Sequence, residues 1–210
     1  MKALTKQKWL DLVDALISED DLDVVGVKEK GPKFHFAPLE NSGELRLDYD
    51  VTILPPKKEL LPVNEDLLSF DISKPFEVLA NKEMRKKVLI GVHPYDMIAI
   101  NMMDKIYLGT HVDEHYETRR NNTVIIASDI LSIPDRAFCG SLGTYEVDEG
   151  YDLLITDLGD TVVIDVGTDK GEEILRMSDG LRDADDEEIE GVKNLRAELP
   201  EKYDREIKID

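Results

Sequence analysis

The sequence KVLIGVHPYDMIAINMMDKI, residues 87–106, together with NTVIIA, residues 122–127, decides the fold. Residues 87–92 and residues 122–127 are short apolar runs, which is typical of strands buried on both faces of a sheet. Between them, Asp96 is placed to cap a helix that runs to Ile106 and carries apolar residues at helical spacing. A strand, a helix and a second strand in this order form a crossover that pairs the strands in parallel. The sequence therefore predicts a βαβ core.

Shorter elements precede this core. Thr5 is placed to cap an amphipathic helix that ends at the acidic run of residues 19–21. Three β-type runs follow at residues 23–27, 33–36 and 45–49, with glycine-containing turns between them. These runs predict a small antiparallel meander.

A hairpin follows the core. Residues 151–156 and 161–166 are β-type runs that flank Asp157-Leu158-Gly159-Asp160, a short connection with glycine. A short helix is expected at residues 170–177. Together these elements predict an α/β (or α+β) class, with a mixed sheet that has a βαβ core, an added antiparallel meander and a hairpin, within one domain over residues 1–177.

Two segments look like appendages. Residues 54–63 hold prolines at positions 55, 56 and 62, which remove backbone donors and favour an extended arm. Residues 178–210 begin with a strongly acidic run and are expected to form a linker or tail.

The amino-acid composition excludes some classes of binding partner and indicates the cellular compartment. The 46 acidic and 26 basic residues give a net charge of -20, which repels nucleic acid and anionic membrane surfaces. The single cysteine, Cys139, has no internal disulfide partner. Aspartates interrupt the apolar residues near the amino terminus, and no run approaches the about 18 apolar residues of a membrane span. We expect a cytoplasmic protein.

One generic motif points to metal chemistry. His111-Val112-Asp113-Glu114-His115 fits H-x-x-E-H, in which two histidines one helical turn apart bind zinc and the glutamate activates water. A small zinc-dependent hydrolase using His111, Glu114 and His115 is therefore an alternative. The motif also requires a rigid helix and a third ligand. The glycine-bearing loops at residues 140–143 and 167–171 match no nucleotide-binding pattern, and no catalytic residue is assigned.

Several strings together resemble a known family. They are LPPKK at 54–58, GVHPYD at 91–96, RRNNT at 119–123, FCGSLGT at 138–144, GYDLLITDLGD at 150–160 and VGTDKGEE at 166–173. Their order and separations are similar to the amino-terminal part of the sulfhydrogenase (soluble NiFe hydrogenase) beta subunit family, which includes the anaerobic sulfite reductase A subunit. The match spans roughly residues 54–175.

The resemblance implies an electron-transfer subunit in which this domain precedes a ferredoxin-type domain with two 4Fe-4S clusters. The family acts beside a catalytic hydrogenase or reductase subunit and a flavin subunit that handles a nicotinamide. The closely spaced cysteines of such a ferredoxin domain are not found in this sequence. The iron-sulfur clusters are therefore expected in a missing carboxy-terminal domain or in partner subunits, and the chain is either truncated or a stand-alone paralogue.

The resemblance also implies a cluster pocket in this domain that has lost its ligands. Relatives carry cysteines at positions that Tyr95, Asp129, Ala137 and Cys139 hold here. One thiolate cannot hold a cubane, which needs four ligands. We therefore expect no cofactor in this chain and a non-catalytic scaffolding and docking role in an oxidoreductase complex. A regulatory homologue without electron transfer remains open.

Overall fold

The computed structural model describes residues 1–74, 77–203 and 207. Its strands are β1 (Lys2–Thr5), β2 (Leu22–Lys30), β3 (Lys33–Pro38), β4 (Leu68–Phe70), β5 (Val78–Ala80), β6 (Lys86–Val92), β7 (Thr123–Ser128), β8 (Leu153–Asp157), β9 (Thr161–Val166) and β10 (Arg182–Asp183). Its helices are α1 (Lys6–Ile17), α2 (Pro94–Tyr107), α3 (Glu114–Asn122), α4 (Cys139–Leu142), α5 (Asp169–Leu175) and α6 (Asp186–Glu198). Short 3₁₀-helices lie at Ser42–Glu44, Pro56–Glu59 and Leu199–Lys202.

The main sheet is mixed. Its strand order is β10-β1-β9-β8-β7-β6-β2-β3, and the β2, β6, β7 and β8 strands pair in parallel. The outer pairs β2–β3, β8–β9, β1–β9 and β1–β10 are antiparallel. The predicted α/β class, the parallel crossover from β6 through α2 to β7 and the β8–β9 hairpin are therefore confirmed. Strands β4 and β5 form a separate two-stranded hairpin.

Helices cover both faces of the parallel strands. On one face, α1 packs Trp9, Leu12 and Leu16 against side chains of β6, β7 and β8. On the other face, α2 and α3 pack Met97 and Tyr116 against the alternate side chains of β6 and β7. Burial on both faces explains why the sequences of β6 and β7 are continuous apolar runs. Thr5 caps α1 as predicted, since its hydroxyl accepts from the Lys8 amide.

The third strand of the predicted meander is not formed. Residues 45–49 lie outside the strands, and only an isolated bridge joins Phe34 to Thr52 beside β3. The second edge of β2 is occupied by β6. Leu47 and Tyr49 are nevertheless buried, so the alternation correctly marked the inward side chains and wrongly indicated strand pairing.

Two further elements differ from expectation. Helix α2 begins at Pro94, with His93 as its N-cap, because proline is well suited to the first helical turn. The proline-rich segment is not uniformly extended: Pro56–Glu59 form a 3₁₀-helix, and Leu60 is fully buried. Proline in a first turn needs no amide donor, so the same residues that suggested an arm also suit a short helix.

The segment after Met177 packs against the sheet. Strand β10 pairs with β1, and Asp185 and Glu188 form a capping box at the start of α6. Val192 and Leu199 are buried. The division of the chain at residue 177 stays a prediction, and these contacts provide a way to test it.

We expect Val192→Ala to lower the free energy of unfolding by about 1.5–3 kcal/mol, because it deletes two buried methyl groups and leaves a cavity. Val63→Ala is the matched control, since Val63 is 86% exposed and its loss should change little. Urea denaturation measures both variants. Equal stabilities would show that α6 is not part of the folded domain.

Candidate functional site

A large pocket lies beyond the carboxyl ends of two parallel strands. The first turn of α2, directly after β6, supplies Tyr95, and the long connection after β7 supplies most of the remaining wall. Its volume is about 740 Å³, and its lining comprises Asp50, Val51, Tyr95, Ile130, Ser132, Ile133, Pro134, Asp135, Arg136, Ala137, Phe138, Cys139 and Tyr203. Ligands of open α/β sheets commonly bind at this edge.

Three of the four degenerate cluster positions meet in this pocket. Tyr95, Ala137 and Cys139 all line it: Tyr95 comes from the first turn of α2, and the other two come from the connection after β7. Asp129 precedes the lining residue Ile130, but its carboxylate is bound elsewhere: the Thr156 hydroxyl donates to it at 2.5 Å and Arg196 Nε at 3.0 Å. Burial raises the pKa of Asp129, and the Arg196 guanidinium opposes that shift. Asp129 therefore holds α6 to the end of β7.

The Cys139 thiol is not activated. The residue is partly buried at the start of α4, and burial raises the pKa of its thiol, with a hydrogen bond from Thr144 opposing the shift. Because the thiolate is the form that attacks substrates and binds metals, the neutral thiol behaves as a small apolar side chain.

Behind Tyr95 lies a stack of aromatic rings. The Tyr95 hydroxyl is 2.8 Å from His93 Nδ1, and the imidazole stacks on Tyr49 with ring centroids 3.9 Å apart. The Tyr49 hydroxyl donates to the Gly91 carbonyl oxygen at 2.8 Å. His93 is fully buried, and this burial lowers its pKa to about 3. The neutral ring therefore fixes the orientation of Tyr95 at the pocket.

Asp96 lies in the first turn of α2. Burial raises the pKa of its carboxyl to about 7, and Lys57 opposes the shift. The carboxyl is therefore partly protonated at neutral pH.

The H-x-x-E-H motif does not place its histidines on one helix. Helix α3 begins at Glu114, and Asp113 caps it by accepting from the amides of His115 and Tyr116. His111 lies before the helix and is exposed, so the paired geometry expected of a zinc peptidase is not formed. The Glu114 carboxylate instead binds Lys82 at 2.6 Å.

His115 lies beside an ion pair between Glu65 and Arg119. Its Nδ1 is 3.7 Å from Glu65, and that carboxylate also binds Arg119. Across residues 1–74, 77–203 and 207, no group of three or more His, Cys, Asp or Glu side chains is placed to hold a metal ion. Over the same residues, no helix is long and apolar enough to cross a membrane.

Sequence reasoning missed several residues of the pocket. Val51 and Tyr203 reach it from distant parts of the chain, and Arg136 lies beside the assigned Ala137. Tyr203 lies in the segment expected to be a linker. Sequence motifs and hydrophobic periodicity do not reveal such long-range contacts. The contact of Val51 depends on how the chain after β3 packs, and that of Tyr203 depends on how α6 packs.

Fold and site together define an α/β domain with a preformed pocket at the carboxyl edge of its parallel strands. Over 186 residues the chain is 31% identical to the sulfhydrogenase 2 subunit beta of Pyrococcus furiosus, an alignment that covers 88% of this chain and 54% of the relative. The chain belongs to the sulfhydrogenase beta subunit family. It spans about half the length of the relative that it matches. No family model and no solved structure matches it.

We expect Asp129→Ala to destabilise the fold by about 2–4 kcal/mol, because it leaves the Arg196 guanidinium and the Thr156 hydroxyl without their buried acceptor. Glu172→Ala is the control: it breaks an exposed ion pair with Arg176 and should cost about 0.5 kcal/mol or less. Thermal unfolding compares the two. Similar losses would contradict the anchoring role of Asp129.

We expect Asp96→Asn to gain stability relative to the parent as pH rises from about 4 to 7. The folded-state pKa of Asp96, about 7, is above its ordinary 3.8, so its contribution to stability is complete below pH 3.8 and is lost as pH rises through 7. Asparagine avoids that loss, which is at most about 1.4 kcal/mol per pH unit. Chemical denaturation across this range measures the difference.

The contribution of His93 to folding stability changes with pH in the opposite direction. Its folded-state pKa, about 3, is below its ordinary 6.5, so its contribution is complete above pH 6.5 and is lost as pH falls through 3. The two residues therefore offset each other in the parent protein at mildly acidic pH. A stability difference between Asp96→Asn and the parent that does not change with pH would contradict the burial of Asp96.

Proposed function

We propose that this chain is a non-catalytic scaffolding and docking domain of an iron-sulfur electron-transfer subunit, in a cytoplasmic hydrogenase- or sulfite-reductase-type oxidoreductase complex. The name of the similar Pyrococcus protein, a sulfhydrogenase beta subunit, supports this proposal. On this proposal, the partners are a catalytic hydrogenase or reductase subunit and a flavin subunit that handles a nicotinamide. The iron-sulfur clusters belong to those partners or to a further domain.

The observation that supports the docking role is a set of exposed apolar side chains in the segment of chain that connects β3 to β6. Phe70 and Leu79 on the β4–β5 hairpin are 69% and 68% exposed. We define the docking surface as the exposed apolar side chains Val63, Leu67, Leu68, Phe70, Ile72, Val78, Leu79 and Met84. Exposed apolar surface concentrated in one segment is typical of protein interfaces.

The hairpin itself also supports a partner. Among the described residues, strands β4 and β5 pair with each other and with no other strand, and every residue in both is exposed. A two-stranded hairpin without a buried face is only marginally stable in water. Contact with another protein would bury the face on which Leu68, Phe70 and Val78 lie together.

The base of this surface is firmly attached to the domain. Arg119 Nε donates to the Leu60 carbonyl oxygen at 2.7 Å, and Lys87 binds the Glu59 carboxylate at 3.0 Å. Lys58 donates to the Phe36 carbonyl oxygen at 2.8 Å. These contacts fix the chain between Pro56 and Pro62, immediately before the docking surface begins at Val63, so the surface starts from a fixed point and loses less conformational entropy on binding.

The loop around Cys139 is the second proposed contact. Phe138 and Leu142 are exposed in this loop, and the exposed Val51 lines the same pocket as Phe138. The chain that leads into the proline segment and the loop around Cys139 thus share one surface. A neighbouring subunit that contacts both would be fixed in orientation relative to this domain.

We expect the natural-length gene product, purified without oxygen together with its genomic neighbours, to co-elute with a hydrogenase or reductase. Phe70→Ser with Val78→Ser should reduce co-elution at least about tenfold, because these two side chains lie together on one face of the hairpin, and buried aromatic and aliphatic anchors carry much of the binding energy of interfaces. Ile106→Ser is the matched control, since Ile106 is 70% exposed on α2, outside the docking surface.

Circular dichroism of each purified variant checks that the fold is intact. A parent protein that elutes alone as a colourless monomer would contradict the docking role. Equal co-elution of the double variant and the control would contradict the assigned surface.

A further inference from the structure

We propose that the pocket beyond β6 and β7 binds a small planar aromatic anion, with its ring among the aromatic side chains and its negative group on Arg136. This inference concerns a ligand and does not rest on the docking role. The volume of about 740 Å³ lies within the range of about 300–1,000 Å³ that is usual for small-molecule sites.

The wall of the pocket suits an aromatic ring. Tyr95, Phe138 and Tyr203 contribute three rings from three separate parts of the chain, and the remaining surface is largely aliphatic. Aromatic rings bury a large area and prefer to pack against one another in offset or edge-on arrangements. A flat apolar body is therefore the shape of ligand that this lining favours.

The Arg136 guanidinium supplies the positive charge that would bind the negative group of the ligand. Among the arginines that the structure describes, the other seven each have an ion-pair partner: Arg46 with Glu29, Arg85 with Asp23, Arg119 with Glu65, Arg120 with Asp104, Arg176 with Glu172, Arg182 with Glu188 and Arg196 with Asp129. Within the same residues, Arg136 has neither an ion pair nor a hydrogen bond. In a chain with a net charge of -20, the exposed Arg136 guanidinium, which has no ion pair among the described residues, is a basic group at this pocket that an anion can bind.

The acidic residues of the lining leave that guanidinium available. Asp50 accepts a hydrogen bond from the Val51 amide at 2.6 Å, so its carboxylate is directed to its own backbone. Asp135 lies next to Arg136 in the chain and makes no ion pair with it in the described structure. A carboxylate, sulfonate or phosphate group can therefore form the paired hydrogen bonds that a guanidinium prefers.

The pocket is formed before any ligand arrives. The Tyr203 ring lies directly on Gly140, where an added Cβ would come within 2.9 Å of Tyr203 Cδ2. The Ile207 amide donates to the Ser141 hydroxyl at 2.8 Å, so Ile207 is also held against this loop. On the opposite side, His93 fixes Tyr95 from behind. A preformed site binds with a smaller entropy cost.

The test uses two fluorescent naphthalene dyes of similar shape and different charge. We expect the purified chain to bind one molecule of the anion 1-anilinonaphthalene-8-sulfonate, with affinity reduced at least about tenfold in Arg136→Gln because a charge-assisted hydrogen bond is lost. The neutral N-phenyl-1-naphthylamine should bind the parent and Arg136→Gln equally. Arg176→Gln, which alters an arginine far along the chain, should leave both dyes unaffected.

Two further variants locate the bound dye. Tyr203→Ala should weaken both dyes, because it removes one wall of the pocket. Phe70→Ser, in the exposed hairpin, should leave both unchanged. Thermal unfolding verifies that each variant is folded, and the conservative Tyr203→Phe, which keeps the ring, should restore binding if Tyr203→Ala is unstable.

Several outcomes would overturn the proposal. One is equal affinity of the sulfonate dye for the parent and Arg136→Gln; another is loss of the dye signal in Phe70→Ser, which would place the dye on the hairpin. Absence of sulfonate binding by the parent at millimolar dye would also overturn it, and would favour a side chain of a partner protein as the occupant. None of these results bears on co-elution with a hydrogenase or reductase, so the two proposals fail independently.

Discussion

Strand β6 must be buried on both faces, and the rest of the structure depends on this constraint. Its side chains from Val88 to Ile90 have no exposed surface, and parallel neighbours occupy both of its edges. A strand in this position requires a helical layer above and below, which α1 and the pair α2 and α3 supply. The amino-terminal helix and the crossover helices are therefore needed for the same reason.

The end of β6 determines the geometry of the pocket. Gly91 has a φ of 88°, a left-handed conformation that glycine adopts readily, and the pairing with β7 shifts register at this point. The shift turns the chain so that His93 lies beneath Tyr49 and Tyr95 faces the pocket. The Tyr49 hydroxyl stabilises this arrangement by donating a hydrogen bond to the Gly91 carbonyl oxygen. One irregular residue thus connects the core to the candidate site.

The parts of the fold that the sequence predicted correctly are those set by local chemistry. Continuous apolar runs identified β6 and β7, the loop containing Gly159 identified the β8–β9 hairpin, and Thr5 identified the start of α1. Residues 45–49 were predicted wrongly because alternation reports which side chains are buried. Alternation carries no information on whether a partner strand is available.

The candidate site was predictable only where the family resemblance supplied positions. Tyr95, Ala137 and Cys139 were expected to be close together, and they line one pocket. Asp129 was expected beside them, but its side chain is held by Arg196, and that contact depends on the packing of α6. Arg136 could not be singled out from the sequence, because its distinguishing property is the lack of an ion pair among the described residues.

The distribution of charge bears on both proposals. A net charge of -20 opposes association with acidic partners over distances near the Debye length, about 8 Å at physiological salt. Residues 63–84, which hold the docking surface, include five acidic and two basic residues, so this segment shares the acidic character of the chain. The exposed apolar side chains of the docking surface carry no charge, and their burial would supply the attraction that has to outweigh this repulsion. The same repulsion would keep anionic ligands away from most of the molecule, so an anion that binds must find local positive charge, and Arg136 offers it at the pocket, beside side chains that can pack against an aromatic ring.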